Sequence, residues 1–226
     1  MLAMAGRMGK AAFLLLMVAA AICPAVYAQA AHRERKKPPA APKSLEGSIS
    51  DGVYRNPYFG FSYKVSFGWV DRTEVMRQSD SEAPASVPSK SQVLLAVFER
   101  PPEAPRATIN AGLVIAIESA TAYPGLKEAG DYFGPLEQVT GAKGFKVVNE
   151  PYEFPVGQTT VAREDFSKEE GEMTMHQSCL VILQKSYLVS FTFVSDSDDA
   201  MDELLGGLSF HGAPSTSKPP AAPSKK

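Results

Sequence analysis

The segment Tyr54–Trp69 reads YRNPYFGFSYKVSFGW, and it decides the fold. Phe59, Phe61, Tyr63, Val65 and Phe67 put an aromatic or branched apolar group at every second position. That is the period of a β-strand, in which alternate side chains share a face. Asn56-Pro57 is a turn signal, so Val53-Tyr54-Arg55 ahead of it makes the first strand of a hairpin and residues 58–65 the second. Gly60 lets backbone or a large side chain come close. Gly68 turns the chain, and Trp69, the only tryptophan, is expected to be a structural anchor. The set Tyr54, Tyr58, Phe59, Phe61 and Trp69 would also suit the floor of a ligand groove, but strand spacing favours core packing.

Downstream, Val70–Met76 reads as extended, and residues 79–91, rich in Ser, Pro and charge, as a loop. Gln92–Glu99, QVLLAVFE, and Asn110–Glu118, NAGLVIAIE, are apolar on both faces. Such strands sit in the middle of a sheet covered above and below. Between Gly125 and Gly144 the period changes. Leu126, Ala129, Phe133, Leu136 and Val139 fall at spacings of three and four, a helical stripe. Gly134-Pro135 interrupts it and predicts a kink or two short helices. Phe145–Phe154 and Gln158–Phe166 read as paired strands, with Lys168–Glu172 an acidic loop. Met173–Gln184 and Tyr187–Ser195 are long strands joined at Lys185-Ser186, and Tyr187, Val189, Phe191 and Phe193 share one face. Asp198–Gly206 is a closing helix with Met201, Leu204, Leu205 and Leu208 on its buried side. Ser197 is its N-cap, Asp198 and Asp199 suit the positive end of its dipole, and Gly206-Gly207 stops it.

The reading gives about seven or eight strands and two helices, mostly joined by short hairpins. The fold class is therefore α+β: a mostly antiparallel sheet covered by helices on both faces, an α/β/α sandwich. The order of elements resembles the PsbP-like superfamily, which includes the photosystem extrinsic P subunit and a Ran-binding nuclear transport factor. The residues behind the resemblance are Tyr54, Asn56, Phe59-Gly60-Phe61 and Gly68-Trp69 at the front, and Tyr187–Phe193 with Leu204-Leu205 at the back. It covers residues 51–211. Members often carry a proline shortly before the Gly-Trp, where this chain has Ser66-Phe67. The resemblance implies an α/β/α fold and non-catalytic adaptor roles. It carries over neither a photosystem nor a Ran function, because no partner-binding residue of either is matched.

Residues 1–28 read as an export signal. Arg7 and Lys10 form a basic start, Ala11–Ile22 is uninterrupted apolar sequence, and Val26-Tyr27-Ala28 offers small residues for cleavage before Gln29. An uncleaved anchor would need the following Arg33, Arg35, Lys36 and Lys37 on the wrong side of the membrane. The expectation is cleavage, with no stable transmembrane span afterwards and a location in the periplasm or outside the cell. Residues 29–50 are a disordered basic Ala/Pro linker, and 212–226 a disordered Pro/Ser/Lys tail. The formal charge of -2 conceals an acidic body of -11 between Glu46 and His211, flanked by basic arms. A body of that sign repels phosphates, so a nucleic-acid partner is excluded. The arms either adhere to anionic envelope material or act as solubilising tethers. Cleavage removes Cys23 and leaves Cys179 alone, without an intramolecular disulfide. Within SCLVIL it is read as a small buried hydrophobe.

Chemistry-bearing patterns are few. The histidines are His32 in the linker, His176 in a strand on the same face as Ser178, and His211 at the domain's end. They have no metal-ligand spacing, and Cys179 lies on the opposite face of its strand from His176. Asp196, Asp198 and Asp199 resemble a calcium fragment but lack the loop glycine and distal glutamate, so helix capping explains them. Glu164, Asp165, Glu169, Glu170 and Glu172 would suit a cation site across a hairpin or, more simply, a solvated charged loop. No catalytic, cofactor or metal residue is assigned, and no cofactor is expected. The functional expectation is an exported, non-catalytic envelope module for binding or assembly, its partner an envelope protein or a small ligand. The alternative is an extracytoplasmic hydrolase whose site gathers His176 with scattered acids such as Asp165 and Glu118.

Overall fold

The computed structural model describes residues 44–81, 91–101 and 108–211. The export signal, His32, most of the linker and the 212–226 tail lie outside them. The first strands are β1 (Ser48–Ser50), β2 (Val53–Asn56), β3 (Phe61–Lys64) and β4 (Val70–Asp71), followed by helix α1 (Thr73–Ser81). Strands β5 (Gln92–Phe98) and β6 (Gly112–Ser119) lead to a 3-10 turn at Ala129–Tyr132 and helix α2 (Phe133–Ala142). Then come β7 (Lys146–Val147), β8 (Tyr152–Val156), β9 (Thr159–Glu170), β10 (Met173–Gln184), β11 (Tyr187–Ser195), α3 (Asp198–Leu205) and β12 (Leu208–Phe210). The large sheet runs β4-β5-β6-β11-β10-β9-β7, with β8 also paired to β9; the small one runs β1-β2-β3-β12. Every pairing among the described residues is antiparallel.

Side-chain alternation gives the large sheet two apolar faces. On the front, Val189, Phe191 and Phe193 of β11 and Leu113, Ile115 and Ile117 of β6 pack against Tyr54, Phe59, Phe61 and Tyr63. Phe61 meets Phe191 edge to face with ring centres 4.9 Å apart, the arrangement that aromatic quadrupoles favour. Met201, Leu204 and Leu205 of α3 complete this core. On the back, Phe166, Cys179, Val181 and Leu188 pack against Tyr132 and Phe133. The front cover is thus mostly a second sheet, where the sequence suggested a helix. The two-faced strands demanded a cover, but not one of a particular kind.

Several local expectations change for physical reasons. Val70–Met76 is not one extended run, because the chain enters α1 at Thr73. The Asp71 carboxylate accepts from the Thr73 N–H at 2.9 Å and from its hydroxyl at 2.6 Å, closing the turn that starts the helix. Arg77 then ties α1 to β5 by donating to the Val93 carbonyl at 2.7 Å. The aromatic alternation stops at β3, and the turn at 66–68 swings Phe67 fully into solvent. β1 forms within the stretch read as linker, and Leu45 packs on the front core. The acidic loop shrinks to a turn at Gly171, because β9 and β10 run on to Glu170 and from Met173. The stretch 145–154 divides into β7 and the start of β8.

The 3-10 turn and α2 meet at residues 132–133, just ahead of Gly134-Pro135. Proline is tolerated there because first-turn N–H groups lack intrahelical partners anyway. Leu208 leaves the closing helix and begins β12, opposite Tyr63. A Cβ at Gly207 would lie 2.9 Å from the Tyr63 ring, so only glycine admits this approach.

Candidate functional site

His176 is the natural starting point. It lies half-buried on β10, opposite Ser195, and its Nδ1 is 3.0 Å from Asp198 Oδ1 at the start of α3. The pair borders a cleft of about 560 Å³ that Glu172, Thr174, Asp196 and Ser197 also line. Two of the hydroxyls here are engaged elsewhere. Thr174 donates to Glu169 at 3.1 Å, while Ser197 accepts from the Ala200 N–H at 3.3 Å as the helix cap. Cys179 sits on the other face, as strand parity requires, and is buried. Burial pushes its thiol up to about 11, against the lowering hydrogen bonds from Thr192 and Gln177. A thiol so protonated is a poor nucleophile. The Asp198 side chain is 91% exposed, so water screens its pull on the imidazole.

The other acids do not converge on this cleft. Asp165, on the front face of β9, is a hub. Its Oδ1 accepts from Ser178 at 2.6 Å and Arg163 at 2.9 Å, and its Oδ2 from Tyr152 at 2.8 Å and Asn149 at 3.2 Å. Burial alone would raise its carboxyl, but the hydrogen bonds from Ser178, Tyr152 and Arg163 outweigh that and hold it below the usual range. The Arg163 guanidinium also lies 4.6 Å over the Phe154 ring, a contact that ties β9 to β8. Glu118 accepts from the Tyr132 hydroxyl at 2.7 Å and from the Tyr123 hydroxyl. Burial first, then the Glu118 charge, pushes the Tyr132 hydroxyl up.

Glu164 neighbours Asp165 in sequence but faces the back, fully buried. Thus Glu164 and Asp165 form no joint cation site with Glu169, Glu170 and Glu172. Among the described residues, no group of three or more His, Cys, Asp or Glu is placed to hold a metal ion.

The aromatic set behaves as core. Tyr54, Phe59 and Phe61 are buried, Trp69 packs half-buried against them, and Tyr58 lies under Lys185 Nζ at 4.3 Å. His211 closes the domain, its Nε2 2.6 Å from Ser62 Oγ. A second cleft, of about 520 Å³, lies between the Lys127–Ala129 loop and Val181–Gln184, with Phe59 and Phe210 beside it. Neither the hub nor the Glu118–tyrosine cluster was placed from the sequence. For Glu118 the available signal was an acid on an otherwise apolar strand; mostly polar β9 offered none for Asp165.

No family model matches the chain, and no curated protein does. Solved structures do. Cyanobacterial PsbP from Synechocystis is 12% identical, with 74% of this chain and 94% of that chain covered and a TM-score of 0.45. The Ran-binding protein Mog1p of Saccharomyces cerevisiae is 11% identical, with 71% and 82% covered and a TM-score of 0.40. LpqN of Mycobacterium tuberculosis, described as involved in cell envelope biogenesis, is 11% identical, with 67% and 83% covered and a TM-score of 0.35. The first two are of the kinds that the Tyr54–Trp69 resemblance named. The likeness is one of fold alone.

Proposed function

We propose that this chain is an exported module of the cell envelope that acts by contact and carries out no covalent chemistry. The observation that carries the reading is the use of its polar groups. Part-buried Asp165 and buried Glu118, the acids considered for a catalytic role, are each held by hydroxyl donors from neighbouring elements. Groups so tied stabilise a scaffold and are not free to exchange protons with a substrate. Export rests on the order of basic, apolar and small residues in 1–28. Among the described residues no helix is long and apolar enough to cross a membrane.

The hydrolase reading has one observation in its favour, the His176–Asp198 contact at a cleft. It lacks an activated nucleophile, since among the described residues no hydroxyl or thiol is hydrogen-bonded to His176. The purified mature protein, assayed with chromogenic esters, phosphoesters, glycosides and peptides, should show the same background as its His176→Ala variant. Turnover that the variant loses while staying folded overturns the reading.

A further inference from the structure

The large sheet opens at one end. The ladder between β9 and β10 stops at Ala162 and Val181, although β9 begins at Thr159 and β10 runs on to Gln184. The second cleft lies in that gap, with Thr159 and Thr160 on one strand and Ile182–Gln184 on the other. On its outer side β9 is still paired to β8, Thr159 with Val156, and β10 to β11, Gln184 with Tyr187. Each strand therefore has one edge occupied and one edge free.

The hairpin fixes which groups face the gap. Lys185 and Ser186 have φ of 53° and 66°, as in a two-residue type I′ loop. Gln184 and Tyr187 close such a loop by bonding each other. Alternation along an antiparallel strand then turns the Leu183 N–H and C=O away from β11 and toward the gap. Gln184 also lines the cleft, and its Oε1 is buried with no hydrogen-bond partner among the described residues. A free strand edge with a buried acceptor beside it suits an extended backbone.

The described chain leaves its last strand at the rim of this gap. β12 pairs Phe210 with Phe61. One residue on, His211 donates its N–H to the Gly60 carbonyl at 2.6 Å, and its Nε2 holds Ser62 Oγ at 2.6 Å. Gly60 has φ 73°, and a Cβ there would lie 3.3 Å from the His211 carbonyl oxygen, so glycine keeps this exit close. Gly60 and Phe210 both line the cleft. Next to them, Phe59 meets Tyr187 edge to face at 5.9 Å, and Tyr58 lies under Lys185. The chain after His211 thus sets out beside the free end of β10. It reads Gly212-Ala213-Pro214-Ser215-Thr216-Ser217-Lys218-Pro219-Pro220. Pro214, Pro219 and Pro220 carry no N–H, so regular pairing is confined to Ser215–Lys218, with Thr216 a good strand former.

We propose that Ser215–Lys218 of this chain add as a short strand to the free edge of β10, so that the tail covers that edge in cis. Part of the tail that composition marks as disordered thereby gains a place. The seated segment shields backbone groups that would otherwise pair with another chain, and an extended partner peptide must displace it to enter. The inference goes beyond the contact reading, and the measurements below need no partner, so either can fail alone.

The test is NMR of the whole mature chain. The Leu183 amide should exchange with deuterium at least about tenfold more slowly than in the double variant Ser215→Pro, Ser217→Pro, which removes two donors and leaves the folded domain untouched. A nitroxide on Lys218→Cys should broaden the Thr160 and Leu183 amide signals selectively, and the two prolines should abolish that. Cys179 is buried and takes no label. Equally fast exchange of Leu183 in both proteins would leave the edge to a partner's strand and overturn the proposal. So would equally slow exchange in both, or broadening spread over the domain. Broadening that passes between chains in a mixed sample would give the edge to a second copy's tail and overturn it as well.

Discussion

Replacing Asp165 by alanine removes the acceptor that Ser178, Arg163, Tyr152 and Asn149 share. The Asp165 and Arg163 side chains are 18% and 12% exposed, so water cannot replace the lost partner in full. Breaking such a pair from one side leaves an uncompensated charge and costs about 3–5 kcal/mol. That is a large part of the ~5–15 kcal/mol that holds a domain folded. Asp165→Asn keeps the shape and some acceptance and should cost less, about 1–2 kcal/mol. Urea unfolding with an m of about 2 kcal/mol/M would show the alanine change as a midpoint shift of about 1.5–2.5 M. The carboxyl is depressed in the folded state, so its contribution is present above the unfolded pKa and lost as pH falls through the folded one. The gap between wild type and alanine variant should therefore narrow below about pH 3.5. A loss under about 1 kcal/mol at neutral pH, or a gap that does not narrow in acid, would refute the hub.

The mature protein should begin at Gln29, and N-terminal sequencing of the exported form checks this; a start at Met1 contradicts it. Native Cys179 should resist a thiol reagent for as long as the domain stays folded, because it is buried and its thiol is raised to about 11. Labelling within seconds, or a dimer lost on reduction, would show otherwise. Trp69→Ala should cost about 1.5–3 kcal/mol, below the ~3–5 kcal/mol of a fully buried tryptophan, because the ring is only partly buried against the core. An unchanged unfolding midpoint would mean that Trp69 anchors nothing.

Strong period-2 runs were legible because one register alone puts their apolar residues inside. Tyr187–Ser195, with Val189, Phe191 and Phe193 buried and Leu188 on the other face, is the clearest case. The cap at Ser197 was legible too, since it follows from a local backbone need. What remained hidden depends on partners distant in sequence. Nothing near Thr73 announces a helix until Asp71 and the Val93 carbonyl are in place. Leu208 fits a helical stripe as well as a strand, and its pairing with Tyr63 decides. Phe67 obeys the alternation of its run, but β3 ends at Lys64 and the turn that follows leaves it outside. The acids were harder still. Glu164 and Asp165 are adjacent letters with opposite fates, one alone on an apolar face and the other with four side-chain donors. Only the register of β9 against β10 and the position of β8 separate them.

The contact reading is tested most directly by complementation in the organism that carries the protein. A strain lacking it would receive the wild type or the double variant His176→Ala, Asp198→Ala, at matched abundance and with folding verified by urea unfolding. The pair bonds across the cleft from an exposed position, so its loss should leave stability within about 0.5 kcal/mol. The account predicts that the double variant restores the phenotype in full. Failure to restore it, with abundance and unfolding midpoint unchanged, would show that the cleft does chemistry and contradict the account.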